Sequence, residues 1–109
     1  MKKILFILTF CFISISLADS GMTLEKCSEQ SELAGMIMKM RQQNSPMAEV
    51  FVLNAKVENK ERVDLLNGLT IYAYSSKWTK FITHSSQKDE ILDFQNEIFL
   101  SCLIRLINN

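Results

Sequence analysis

The chain has 109 residues, 48% of them hydrophobic, which predicts one domain with a small core. Its 12 lysine and arginine residues balance 12 acidic residues, and no basic cluster occurs, so nucleic acid is excluded as an expected partner. With 3 glycines and 1 proline, the sequence contains no segment typical of a flexible linker.

Residues 1–18 have the three parts of a secretory signal peptide. Lys2 and Lys3 give a positive start, an apolar run covers residues 4–15, and Ser16 and Ala18 place small side chains at the two positions that a signal peptidase reads. The apolar run is shorter than the ~20 residues of a membrane-spanning helix. We therefore predict a cleaved signal and a periplasmic or secreted single domain, residues 19–109, without a stable membrane span. An uncleaved membrane anchor is the alternative.

Cleavage leaves two of the 3 cysteines, because Cys11 departs with the signal. Cys27 and Cys102 have only one intramolecular pairing, and an oxidising compartment lets it persist, so we predict a disulfide. Two free thiols or a metal pair are the alternatives. We expect no metal site, because His84 is the sole histidine, and no cofactor.

The first predicted helix runs from a Thr23 cap to about Gln43. Its inward face carries apolar or small residues at three-, four- and seven-residue spacing: Cys27, Ala34, Ile37 and Met38. Met36, Met38 and Met40 cannot all share one narrow face, so we expect at least one of them near the surface.

A second helix is predicted over residues 47–57. Ser45 is its expected cap, and Pro46 suits the first turn. Residues 50–53 are equally typical of a short strand, because they are β-branched, aromatic or aliphatic. We favour the helix, since a lone strand would have no partner.

A third helix is predicted from residue 61 to 74. Gly68 costs it about 1 kcal/mol relative to alanine, which we interpret as a close approach of another helix. Residues 75–86 are predicted to form a loop, with Trp78 and Phe81 lying against the core.

The last predicted helix opens at Ser86, with Asp89 as its capping carboxylate. Residues 98–107 are apolar nearly all round, which is typical of a helix buried on several sides. Because Cys27 and Cys102 lie on inward faces, we place the first and last helices side by side. The predicted fold is an all-α, small four-helix bundle with one disulfide joining these two helices.

Arg41 shares the inward face of the first helix. A guanidinium directed toward a core needs a carboxylate or several carbonyl oxygens. Asp93 and Glu97 on the last helix are the candidates, and we predict a partly buried structural ion pair. An anion-binding arginine at a groove is the alternative.

We predict no enzymatic activity, because no nucleophile and general base are paired in the sequence. His84 lies beside two serines, but neighbours on a chain rarely point at one another. The candidate partner-binding residues are instead apolar ones, since surplus apolar surface on a small domain is typical of interfaces. They are Trp78, Phe81, Leu100, Leu103 and Ile107. The predicted partner is a target protein or a second copy; the alternative is that other segments of the chain cover these residues.

The pattern C-x6-A-x2-I-M-x2-R-Q runs from Cys27 to Gln42, with Ala73 and Tyr74 adjacent later in the chain. Phe94 follows, with seven residues before Cys102. This pattern resembles a group of small, signal-bearing, two-cysteine helical proteins of Gram-negative bacteria, their prophages and their phages. The resemblance implies an exported helical fold and supplies no catalytic residues.

The expected function is a non-enzymatic, exported protein-interaction module. One version is an inhibitor or immunity factor that acts on an envelope or cell-wall protein. This version comes from the resemblance and the predicted compartment, and no motif carries it. The alternative is a periplasmic chaperone-like protein with an exposed apolar surface.

Overall fold

The computed structural model describes residues 23–108, and these residues form four helices and no strand. The helices are α1 (Leu24–Gln42), α2 (Met47–Asn54), α3 (Lys60–Ala73) and α4 (His84–Asn108). The all-α prediction is confirmed, and the segment that was compatible with a strand is helical. The predicted signal peptide, residues 1–18, lies outside the described residues.

Both ends of α1 are closed by local hydrogen bonds. The Thr23 side chain accepts a backbone hydrogen bond in the first turn, as the sequence predicts. At the other end Asn44 has a φ of 71°, a left-handed conformation that asparagine tolerates. The Ser45 N–H donates to the Met40 carbonyl at 2.9 Å, and the Asn44 N–H donates to the Arg41 carbonyl at 3.1 Å. This pair of bonds is a Schellman motif, and it satisfies carbonyls that the helix leaves open.

The predicted Ser45 cap of α2 is wrong. Pro46 is the N-cap, and no side chain there makes a capping hydrogen bond. Ser45 is already committed to the end of α1, and its carbonyl accepts from the Tyr74 hydroxyl at 2.5 Å. The helix also ends at Asn54, earlier than predicted.

The last helix begins at His84, two residues before the predicted start at Ser86. The hydroxyl of Thr83 accepts a hydrogen bond from the Ser86 N–H at 3.3 Å, which is the bond expected of an N-cap. Thr83 is therefore the N-cap of α4, and the predicted capping role of Asp89 is wrong.

The core lies where α1 packs along both α3 and α4, while α2 packs mainly on α3. Its buried residues come from α1, α3, α4 and the connection before α4: Ala34, Ile37, Met38, Leu66, Leu69, Ala73, Trp78 and Phe94. The Trp78 and Phe94 rings meet edge to face, with centroids 5.0 Å apart. Met36 is 59% exposed, which confirms that one methionine of α1 lies at the surface.

The close helix approach lies at Gly35, and the prediction for Gly68 is wrong. A Cβ atom added to Gly68 would have no neighbour within 4 Å, whereas one added to Gly35 would lie 2.4 Å from Gln95 Nε2. Gln95 also links α4 to α1 by hydrogen bonds. Its Nε2 donates to the Ser31 carbonyl, and the Ser31 hydroxyl donates to the Gln95 carbonyl, both at 3.2 Å.

The predicted disulfide between Cys27 and Cys102 is confirmed. It joins residues 75 positions apart, with Cα atoms separated by 5.4 Å. Both cysteines are fully buried. The bond ties the first turn of α1 to the last quarter of α4, so these two helices lie side by side as the sequence predicts.

Candidate partner-binding surface

Trp78 is a core residue, which confirms the prediction that it lies against the core and corrects its predicted role in partner binding. It is 6% exposed and packs between Phe94 and Tyr72. Among residues 23–108, the indole N–H of Trp78 has no hydrogen-bond partner. The tryptophan is therefore held by its ring contacts, and it is not available to a partner.

Phe81 is half-buried and lies near the α4 end of the connection between α3 and α4. Its N–H donates to Gln42 Oε1 at 2.8 Å, and its carbonyl accepts from Gln87 Nε2 at 2.7 Å. Both bonds hold the connection against α1 and α4. The structure thus separates Phe81 from the predicted contact residues of the last helix.

Those residues belong to a continuous row on the outward face of α4. We name this row the α4 stripe, and it comprises Leu92, Phe99, Leu100, Leu103, Ile104 and Ile107. Leu92, Leu100 and Ile104 are about half exposed, and Ile107 is 73% exposed. The opposite face of α4 is buried, and Phe94 lies on it.

The stripe overturns one expectation about α4. Residues 98–107 are apolar nearly all round, and this pattern predicts a helix segment that is buried on several sides. Within the described part of the chain, only the side that faces the core is buried. The prediction included three stripe residues but omitted Leu92, Phe99 and Ile104. Phe99 and Ile104 lie three or four residues from the predicted ones, and Leu92 lies eight residues before Leu100; this helical spacing is the signal that finds them.

Arg41 makes no ion pair with Asp93 or Glu97, which corrects the predicted partners. Its guanidinium donates to the Ala73 carbonyl at 2.7 Å and to the Ser75 carbonyl at 3.4 Å. These carbonyls lie at the end of α3, where a helix leaves its last acceptors open. The charge of Arg41 also suits the negative end of that helix.

Glu97 instead belongs to a cluster with Tyr72 and Lys77. It accepts a hydrogen bond from the Tyr72 hydroxyl and is bonded to Lys77 Nζ at 2.9 Å. The Tyr72 hydrogen bond and then the Lys77 hydrogen bond lower the pKa of Glu97 from its ordinary value. Asp93 is exposed on α4 and lies outside this cluster.

Gln42 is the buried polar residue next to Arg41. It is 2% exposed, and its Nε2 donates to the Thr79 carbonyl at 2.8 Å while its Oε1 accepts from Phe81. The backbone carbonyl of Gln42 accepts from Gln87 Nε2 at 3.2 Å. Arg41 and Gln42 together hold the end of α3 and the connection that follows it.

Several grooves lie outside the α4 stripe. A groove of about 350 Å³ between α1, α2 and α3 is largely apolar, with Met36, Met40 and Leu53 in its wall. A second groove of about 280 Å³ at the start of α4 is lined by Lys39 and Lys88. No group of three or more potential metal ligands occurs within residues 23–108. In the same range, none of the helices has both the length and the hydropathy to cross a membrane.

No protein-family model matches this chain, and neither a curated protein nor a solved structure shows significant similarity to it. The residues of the two-cysteine pattern nevertheless share a physical role. They are disulfide, core or helix-end residues, as the contacts of Cys27, Ala34, Arg41 and Gln42 show. None of them belongs to the α4 stripe, which is therefore the candidate site on its geometry alone.

Proposed function

We propose that this chain is an exported, non-enzymatic protein that acts by binding another polypeptide through the α4 stripe. The observation that carries the proposal is the exposed apolar row itself. Four of its six residues are exposed, and Phe99 and Leu103 are half-buried. Such a row adds nothing to the separate core that the domain already buries, whereas it is typical of an interface.

The predicted compartment and the sequence resemblance support a more specific version. In that version the partner is an envelope or cell-wall protein that the chain inhibits or neutralises. The buried disulfide supports export, because such bonds persist in oxidising compartments.

A paired-variant capture experiment tests the proposal. Leu100→Lys combined with Ile107→Lys places two charges in the stripe, and lysine is well tolerated near the end of a helix. Ser101→Lys puts the same charge on an exposed position of α4 outside the stripe. The parent chain and the Ser101 variant are expected to retain the same envelope protein, and the double variant is expected to lose it.

Thermal unfolding of all three proteins serves as the folding control. The candidate partner, once identified by mass spectrometry, is purified and titrated against each of them. Equal binding of the partner by the parent chain and the double variant would refute the stripe as the contact surface.

A further inference from the structure

We infer that a second copy of this chain occupies the α4 stripe, so that two α4 helices run parallel in a short two-stranded coiled coil. This inference rests on the proposed function, because it names the polypeptide that the surface binds. An envelope protein would then use another surface or displace the second copy.

The first support is the spacing of the seam. Leu92, Asn96, Phe99 and Leu103 follow one another by four, three and four residues. That alternation is the a/d pattern of a coiled coil, with Leu92 and Phe99 at d positions and Asn96 and Leu103 at a positions. Leu100 flanks the seam at an e position and adds apolar area beside it.

The polar residue in the seam favours a parallel pair. Asn96 is exposed on α4, among apolar neighbours of the stripe. In a parallel dimer it meets Asn96 of the second copy, and the two amides hydrogen-bond to each other. A single asparagine at an a position is known to set the register and the number of strands. In an antiparallel pair the a positions of one helix face the d positions of the other, so Asn96 would face Phe99 of the second copy and remain unpaired.

The flanking charges are complementary in the same arrangement. Lys88 occupies a g position and Asp93 the e position five residues later, which are the positions that face each other across a parallel seam. Both side chains are exposed, and within residues 23–108 neither has an ion-pair partner. Lys88 of each copy therefore pairs with Asp93 of the second copy. Asp89, at the preceding a position, ends the seam.

The length of the stripe limits the strength of the dimer. The a/d seam ends at Leu103, because Leu106 at the next d position is buried in the core. From residue 92 to 103 it extends about 16 Å, at 1.5 Å per residue. Such a seam buries less than the roughly 1,200 Å² that marks the lower bound of a standard interface. We therefore expect a monomer–dimer equilibrium that depends on protein concentration.

Sedimentation equilibrium of the mature chain tests whether the dimer exists. The weight-average mass is expected to rise from monomer toward dimer with concentration, and Leu100→Lys with Ile107→Lys is expected to remain monomeric. A parent chain that stays monomeric throughout would overturn the inference.

Cysteine cross-linking tests the direction of the helices. Asn96→Cys brings two sulfur atoms together across a parallel seam, so a disulfide-linked dimer is expected on a non-reducing gel. Ser101→Cys, on another side of α4, is the matched control and is expected to remain uncoupled. Absence of a linked dimer in the Asn96→Cys variant, or equal linkage in both variants, would overturn the parallel arrangement.

A charge exchange tests the flanking pair. Lys88→Glu and Asp93→Lys are each expected to weaken the dimer about tenfold, because each places like charges across the seam. The double exchange restores opposite charges and is expected to recover the parental dissociation constant. Failure of the double variant to recover would contradict the pairing.

These results are separable from those of the proposed function. A monomeric chain that still captures an envelope protein through the stripe would refute the second copy and leave the proposed function standing. A dimer whose stripe variant captures the same proteins as the parent would support the second copy and refute an envelope protein as the stripe's partner.

Discussion

At the scale of single residues, two neighbouring polar side chains at the end of α1 satisfy backbone groups of distant segments. The Arg41 side chain hydrogen-bonds the end of α3, and the Gln42 side chain hydrogen-bonds the connection that follows α3. The sequence predicts that Arg41 needs an oxygen partner, and several carbonyl groups are one of the two predicted kinds of partner. The choice of Ala73 could not be predicted, because it depends on where α3 ends relative to α1.

Replacing Arg41 with alanine is expected to destabilise the domain by about 2–3 kcal/mol. The change leaves the Ala73 carbonyl without the charged donor that now satisfies it. Arg41→Lys is expected to recover part of the loss, because an ammonium group retains the charge but not the planar fork of donors. Urea unfolding measures both variants, and an unchanged free energy of unfolding for Arg41→Ala would exclude the structural role.

Gln42→Ala is expected to cost about 2–4 kcal/mol, because it leaves a cavity and two backbone groups unpaired. Those groups are the Thr79 carbonyl and the Phe81 N–H. Gln43→Ala is the matched control, since Gln43 is exposed and its change is expected to stay within about 0.5 kcal/mol. Equal unfolding free energies for the two variants would contradict this account.

The pH dependence of stability is expected to include a contribution from Glu97. Hydrogen bonds from Tyr72 and Lys77 lower the pKa of Glu97 below 4.5 in the folded state. A lowered pKa stabilises the fold at pH values above 4.5, and this stabilisation is lost as pH falls through the folded-state pKa. Glu97→Gln is therefore expected to reduce the loss of unfolding free energy as pH falls below 4.5.

The effect is expected to be small, because the Glu97 side chain is 33% exposed and Lys77 is more exposed still. Glu32→Gln is the control, as Glu32 is an exposed carboxylate of α1 with no ion pair among the described residues. If the unfolding free energy of the parent chain and of Glu97→Gln falls identically at acid pH, the Glu97 hydrogen bonds do not stabilise the fold.

At the scale of elements, a helix end that is fixed by a local hydrogen bond was predicted correctly, and a helix end that depends on tertiary contacts was not. Thr23 caps α1 through an atom three residues away, so the sequence alone is sufficient. Ser45 has the right type for a cap of α2, yet it is taken by the end of α1 and by Tyr74. The two helical glycines follow the same rule, since only the packing of α1 on α4 distinguishes Gly35 from Gly68.

Gly68→Ala is expected to stabilise the domain by about 1 kcal/mol, because the added methyl group meets no atom and the helix gains propensity. Gly35→Ala gains the same propensity but pushes the Gln95 side chain from its hydrogen bond with Ser31. We expect a net loss of about 1 kcal/mol or more for that variant.

Thermal unfolding compares the two glycine variants directly. Adding Gln95→Ala to Gly35→Ala removes the side chain that the methyl group would meet, so this double variant is expected to recover stability. Equal stabilisation by both single alanine substitutions would show that α1 and α4 do not approach closely at Gly35.

At the scale of the whole molecule, the disulfide is expected to supply much of the margin of stability. A cross-link between positions 75 apart removes about 4 kcal/mol of freedom from the unfolded chain in the entropy model. Replacing both Cys27 and Cys102 with alanine is therefore expected to lower the free energy of unfolding by about 2–5 kcal/mol. Urea unfolding measures the loss, and reduction of the parent chain should reproduce it.

Alkylation followed by intact-mass analysis provides the covalent check. Neither Cys27 nor Cys102 of the folded protein is expected to react before a reductant is added. Ready alkylation of both thiols would contradict the disulfide and, with it, the pairing of α1 with α4.

The fold was more predictable than the site because its signals are periodic and covalent. Amphipathic spacing and the cysteine count were sufficient for the four helices and for the pairing of the first with the last. Trp78 was assigned both to the core and to a partner-binding surface, because its segment is irregular and only contact with Phe94 determines which way the ring points. The α4 stripe was found in part, since a helix that is apolar all round does not reveal which side remains open.

The position of the disulfide has a mechanical consequence. Because Cys27 and Cys102 are covalently joined, tension applied between the segment that precedes Cys27 and the segment that follows Cys102 passes through the sulfur atoms. The stretch of chain between them carries no load, however hard the two ends are pulled. In an optical trap the oxidised protein would behave as a short tether, and only reduction would release the contour length of the folded helices.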